Sequence, residues 1–297
     1  MNARLRATAL ATGLLALLVC TTAQASRYDF SLGRYFSGQC ETSCAGQANP
    51  TQCLMDCAQG RFESLMIELG HITAPVFLAP AETLGLNGFA FGFEGSVAPI
   101  QGGKPYWTEV TEGNPADAVF IPRVHVRKGL PFSFEVGTQL SYIPESEMFV
   151  VGAELKWSLN EGLYYVPDVA VRVAINHTVG PKEFELTTGG WDLSISHPFG
   201  LGGMATLTPY AGYNMLFIHT SSHVVLDDHL VNLDDNDPTN DTPRTHVFQE
   251  VAWDDHMYHR FFVGLRLTTH IFQFAAEGIF ALDPQINMFN FMLGLDY

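Results

Sequence analysis

Positive charge is scarce in this chain, long apolar runs are almost absent, and cysteine is confined to the first 57 residues. Its 15 Lys and Arg stand against 31 Asp and Glu, a formal net charge of −16. That balance excludes a polyanion such as nucleic acid as a natural partner. Past residue 25 no stretch approaches the ~20 apolar residues that a membrane-crossing helix needs. There is no glycine-rich phosphate loop, no CxxC and no HExxH, so the common nucleotide and metal signatures are missing and no cofactor is expected.

The first residues differ from the rest. Arg4 and Arg6 precede an apolar run over 10–19, and Ala23-Gln24-Ala25 offers small residues for cleavage. This reads as a secretory signal peptide over 1–25. Cys20 as a lipid-anchored first residue is the lesser reading, because Val19 before it is bulkier than that processing accepts. Cleavage removes two of the 15 basic residues and none of the 31 acidic ones, leaving 13 − 31 = −18. An exported chain with 22 Phe, 10 Tyr and 27 Gly suits many strands. It fits either a soluble periplasmic β-domain or a barrel in the outer membrane of a Gram-negative cell.

Composition changes near residue 83. The stretch 26–82 holds the four remaining cysteines and reads as helical, a periplasmic segment; 83–297 reads as strand after strand. Ten segments alternate apolar with polar or small residues: 84–97, 117–128, 131–143, 147–159, 166–177, 186–198, 203–219, 257–270, 271–282 and 286–297. In the third, Phe134, Val136, Thr138 and Leu140 oppose Glu135, Gly137 and Gln139. In the fifth, Val169, Val171, Val173 and Ile175 oppose Asp168, Arg172 and Asn176. Alternation alone would also suit a soluble sandwich.

Three further features favour an antiparallel transmembrane barrel of about ten strands. The count is even, as in single-chain bacterial barrels. The connections sort by length, so that an entry from the periplasm puts both of the longest, 98–116 and 220–256, outside. Finally, the last strand carries Phe289, Phe291, Leu293, Leu295 and Tyr297 on one face. This resembles the C-terminal strand of bacterial outer-membrane β-barrel proteins, and the likeness in pattern extends over 84–297. It implies insertion by the barrel-insertion machinery through that strand, with outer-membrane lipid and lipopolysaccharide as surroundings. The usual terminal residue there is Phe, and Tyr297 departs from it. Two positions fit less well: Pro209 removes a ladder donor inside the seventh segment, and the apolar parity slips between Leu186 and Trp191, where a bulge is expected.

Polar faces turned inward would line the lumen with Arg123, His125, Arg127, Lys156, Arg172, Arg260 and Arg266 against Glu94, Glu135, Glu154, Asp168, Asp192, Glu277 and Asp296. Near balance of charge in a narrow barrel reads as an internal ion-pair network rather than a selective pore. A side-chain-filled barrel of structural or binding role is therefore the leading expectation. A small passive channel, porin-like, is the alternative.

Cys40, Cys44, Cys53 and Cys57 form a twin CxxxC. Residues four apart share a helix face, and 46–50 between the pairs carries turn signals. A helical hairpin with nested disulfides, Cys40 to Cys57 and Cys44 to Cys53, follows. The spacing resembles the twin CX3C hairpins of small mitochondrial intermembrane-space chaperones over about 20 residues, and no function is carried across. Zinc is the rival, but an oxidising periplasm favours disulfides, and four cysteines allow three connectivities that spacing does not settle. Phe62, Leu65, Met66 and Leu69 follow at helical spacing.

Three constellations could carry chemistry. The loop 220–256 holds Asp227, Asp228, Asp234, Asp235, Asp237 and Asp241, with Asp234, Asp235 and Asp237 as candidate ligands for a divalent cation. It lacks a full calcium-loop pattern, and a solvated acidic loop is the plainer account. His219-Thr220-Ser221 puts a base and a nucleophile on one strand face. It resembles the His-x-Ser of outer-membrane phospholipases and lipid A deacylases, which implies a lipid esterase. Those motifs continue with Asn where Ser222 stands here. Asp254-Asp255-His256 invites comparison with outer-membrane aspartyl proteases, but the matching acidic pair would have to be Glu145 and Glu147, a poor substitute. A non-enzymatic barrel outranks both.

Overall fold

The computed structural model describes residues 28, 30–111, 115–163, 165–225, 247–254 and 256–297. Its strands are β1 (Phe89–Pro99), β2 (Ala118–Leu130), β3 (Phe134–Tyr142), β4 (Phe149–Asn160), β5 (Asp168–Val179), β6 (Phe184–Ser196), β7 (Phe199–Leu201), β8 (Ala205–Ser222), β9 (Met257–Thr269), β10 (Phe272–Ala281) and β11 (Asn287–Asp296). Each pairs antiparallel with its neighbour, and β1 pairs with β11 from Ala90↔Asp296 to Val97↔Phe289, which closes the ring. Three-residue β7 only continues β6 along the edge of β8, so the wall is ten strands around. The segments flagged by period two thus became ladders because alternation lets every strand bury one face and turn the other outward.

The outward face is apolar: Phe93, Val151, Leu155, Val173, Leu193, Val263, Phe274 and Leu293 are all exposed. In a closed ring with no soluble partner sheet, that face is the lipid face. Connections differ between the two ends. At the base, where β1 starts and β11 stops, the turns are 131–133, 161–167, 197–204 and 270–271; at the mouth the stretches between strands are 100–117, 143–148, 180–183, 223–256 and 282–286.

The two awkward positions have physical explanations. Pro209 sits opposite His197, in the gap between β6 and β7, and its carbonyl accepts the His197 amide at 3.3 Å. The donor that proline lacks is therefore missing where the ladder is already interrupted. The expected bulge near Gly189 is absent: β6 keeps unbroken register with β5 and β8. Parity slips instead because Phe184 and Leu186 point inward and are buried, while Trp191, Leu193 and Ile195 point outward. A register shift does occur elsewhere, between Ser158 and Asn160 of β4.

Before the barrel come a 3-10 turn (Leu32–Phe36), α1 (Gln39–Cys44) and α2 (Pro50–Thr73). Proline at the first position of α2 suits a helix start, and Pro75 drives Ala74 to an extended ψ of 153°, which ends it. Disulfides Cys40–Cys57 and Cys44–Cys53 staple α1 to α2 with Cα atoms 5.7 Å apart in both. Phe62, Leu65, Met66 and Leu69 are buried in one core with Ile121, Val150, Leu186, Leu216 and Ile218 of the barrel wall. The helical segment is thus built into the barrel.

It is built into the mouth. The Tyr28 amide donates to the Glu145 carbonyl and the Ser31 amide to the Val110 carbonyl, both 2.9 Å. Gln59 and Gln249 exchange two hydrogen bonds of 2.9 and 3.3 Å. From Thr73 the chain then runs without helix or strand through the lumen over 74–84, turning at Leu78 (φ 43°), and leaves at the base to start β1. The sequence expectation put the long connections outside and the helical segment in the periplasm. Both cannot hold, because the helices share a mouth with the long connections.

Candidate functional site: the occupied lumen

Inward positions change character along the barrel axis. Towards the mouth they are apolar, as at Val119, Ile121, Val150, Phe184, Leu186, Leu216, Ile218 and Met288, and here α2 docks. Towards the base they are charged. Arg123 Nη1 lies 3.2 Å from Glu94 Oε2 and His125 Nδ1 2.8 Å from Glu94 Oε1. His125 Nε2 is 3.3 Å from Glu154 Oε1, and Arg172 reaches Glu154 at 3.7 Å and Asp192 at 2.9 Å. Glu135 takes Arg127 at 3.4 Å and Lys156 at 3.1 Å. The network crosses β1 to β6.

The strap 74–84 lies against these groups. Asn176 Nδ2 donates to the Thr73 carbonyl at 2.8 Å and Arg260 Nη2 to the Pro75 carbonyl at 3.4 Å. Lys156 Nζ donates to the carbonyls of Glu82 at 2.8 Å and Pro80 at 3.4 Å. The Ala81 amide donates to Ser196 Oγ at 3.0 Å, and the Leu84 amide to Glu135 Oε2 at 3.0 Å. The Arg172 guanidinium stands 3.5 Å over the Phe77 ring, a cation–π contact in a dry setting. Arg266 pairs with the Glu82 carboxylate.

Of the residues named from sequence for the lumen, Glu94, Arg123, His125, Arg127, Glu135, Lys156, Arg172, Asp192, Arg260, Arg266 and Glu277 are buried and Glu154 is half-buried. Sequence reasoning missed Glu68. This buried carboxylate on α2 accepts the Gln101 amide at 2.7 Å, the Tyr106 hydroxyl at 3.0 Å and the Trp107 indole N–H at 2.8 Å. It ties a mouth connection to the helix, and burial followed by the Glu68 charge raises the Tyr106 hydroxyl pKa. A lone acid on the apolar face of α2, next to Leu65, Met66 and Leu69, was the available signal.

The other candidates lie outside the lumen. His219 and Ser221 sit on the outward face of β8 near the mouth, on the row shared with Thr187 and Glu185 of β6. His219 Nδ1 is 3.3 Å from Glu250 Oε1 and its ring stacks on Trp253 at 5.2 Å. His256 engages Glu63 at 3.6 Å and the Tyr258 hydroxyl at 3.0 Å, while Glu145 and Glu147 stand exposed in the β3–β4 connection. Asp227, Asp228, Asp234, Asp235, Asp237, Asp241 and Asp255 lie outside the described residues. Among the described residues no three His, Cys, Asp or Glu side chains converge as a metal site.

A closed antiparallel ring of even strand number, apolar outside and charged in its lower lumen, with its two longest connections at one end, defines an outer-membrane β-barrel protein. Solved barrels of this kind are similar to it. Ail, the attachment invasion locus protein of Yersinia pestis, aligns with 10% identity and a TM-score of 0.30, covering 71% of this chain and 97% of Ail. The β-domain of the Bordetella autotransporter BrkA aligns with 11% identity and a TM-score of 0.37, covering 71% and 98%. An outer membrane channel from Pseudomonas putida F1 aligns with 10% identity and a TM-score of 0.34, covering 75% and 100%. These likenesses are loose, and nothing about activity follows from them. No protein-family model matches the chain, and no curated protein matches it in sequence.

Proposed function

We propose that this protein is a plugged, non-conducting outer-membrane barrel of structural or binding role, made as residues 1–25 of signal peptide, 26–82 of cap and strap, and 83–297 of barrel. The observation that carries it is the strap, held along the lumen by side chains from β3, β4, β5, β6 and β9. Beside it, the ion-pair network fills the lower lumen. A passive channel, the porin-like alternative, would need both displaced. Long connections belong on the outer side of such barrels; this favours the cap on the outer face over the periplasmic position expected from sequence. The lipid setting would be the lipopolysaccharide-bearing leaflet, with insertion directed by the Tyr297 strand and a divalent cation at the acidic loop. Purified, heat-modifiable protein in a planar bilayer tests the reading: no steady conductance is expected at any voltage, and an ohmic pore in the unaltered protein would overturn it.

A second reading, a lipid esterase, draws support from Glu250, which supplies beside His219 the orienting carboxylate that the sequence did not reveal. Retention of all hydrolytic activity in Ser221→Ala would remove it.

A further inference from the structure

We infer that the lumen is a passage for extended polypeptide whose cargo is the chain's own N-terminal segment, displayed by the barrel on the outer face. The inference rests on the reading above in turning the long connections outward.

Topology is the first support. The barrel strands start and finish at the base, whereas the stapled helices lie at the mouth, and the strap joins them through the lumen. A chain inserted from the base side has its N-terminal segment beyond the mouth only if that segment has crossed.

The chemistry of the grip is the second. Asn176, Arg260 and Lys156 donate to strap carbonyls, and Ser196 and Glu135 accept from strap amides. Such contacts hold a backbone and do not read its sequence, which is what a passage requires. Side-chain contacts add Phe77 on Arg172 and Phe262, Glu82 on Arg266 and the Thr83 hydroxyl on Glu161, with Val76 and Leu78 in the apolar core.

Width is the third. A helix with its side chains is ~10–12 Å across, and a small barrel encloses little beyond its own side chains. An extended strand fits that space and a stapled pair of helices does not. Crossing therefore happens in extended form.

The test uses full-length protein in cells. One epitope is inserted after Gln47, in the exposed turn of the stapled hairpin, and the same epitope is placed in a second protein in the 180–183 connection as an orientation reporter. Both are expected to label intact cells as strongly as permeabilised ones. A labelled connection with an unlabelled hairpin overturns the passage and leaves the plugged barrel standing. If neither labels intact cells, the orientation falls and the inference with it, while the conductance result is untouched. An unstructured Gly/Ser segment carrying the epitope after Ser26 is expected to be displayed, and a stably folded domain at that point to lose display. Equal display of the two overturns passage in extended form. Heat-modifiable migration confirms in each case that the barrel has formed.

Discussion

Glu68 accepts three hydrogen bonds from one mouth connection, and no cation shares its site among the contacts described. Removing the acceptor strands the buried Trp107 donor, at ~1–3 kcal/mol if it stays unsatisfied, and releases Gln101 and Tyr106. Glu68→Ala is therefore expected to free the 100–111 connection, seen as rapid proteolysis at Lys104 while the barrel keeps its heat-modifiable migration. Glu68→Gln, which retains one acceptor, should be milder; indifference of Lys104 to both would refute the role. His71, two residues from the end of α2, is buried against Tyr258. Burial, and then the positive charge of Arg260, lowers its pKa from 6.5 to about 3. The folded state holds the neutral ring, so the unfolded chain binds the extra proton first. Stability from this residue is full above pH 6.5 and drains away as pH falls from 6.5 towards 3. Thermal unfolding of His71→Phe should lose that part of the acid slope, and an unchanged slope would exclude His71 as its source.

At the scale of elements the stapled hairpin makes a graded prediction. Cys40–Cys57 closes a separation of 17 residues and Cys44–Cys53 one of 9 within it. Loss of the outer bridge, as the double Ser variant, should weaken the cap by ~2–4 kcal/mol. Loss of the inner bridge, inside a loop already closed, should weaken it less. Hydrogen exchange over 39–57 measures the difference, with strand amides as the unaffected control. The hairpin and the strands were legible because each buries one face against a simple partner, which writes a period of 3.6 or 2 into the chain. The upper lumen was not. Val119, Ile121, Phe184, Leu186, Leu216 and Ile218 point inward but are apolar because α2 covers them, so a rule of polar inside and apolar outside turned Leu186 into an imagined bulge. Strand ends apolar on both faces were the overlooked sign that something docks in the mouth. The strap was less legible still. Its 74–84 sequence has no period, and its partners are backbone groups met by residues as distant as Arg260, 185 positions along the chain.

For the molecule as a whole, the proposed plugged barrel has two fillings that could close its lumen, the ion-pair network and the strap. They make different demands. The network is wall against wall and would stay if the strap left, whereas the strap takes its contacts with Arg260 and Arg266 from groups outside that network, beside those with Lys156, Arg172, Glu135 and Glu161. Buried charges that lose a partner cost ~3–5 kcal/mol, so Lys156, Arg260 and Arg266 are best replaced one at a time by Met, with heat-modifiable migration showing which variants still form barrels. If the strap is the barrier, Arg260→Met, which breaks its hold at Pro75 and leaves the Glu135 and Glu154 pairs intact, should give intermittent conductance where the parent is silent. A cross-link should then reverse it. The Ala81 amide meets Ser196 Oγ at 3.0 Å, so Ala81→Cys with Ser196→Cys can tie the strap to β6. Bursts that vanish on oxidation and return with a reductant identify the strap as the gate, and a folded Arg260→Met barrel that stays silent assigns closure to the network.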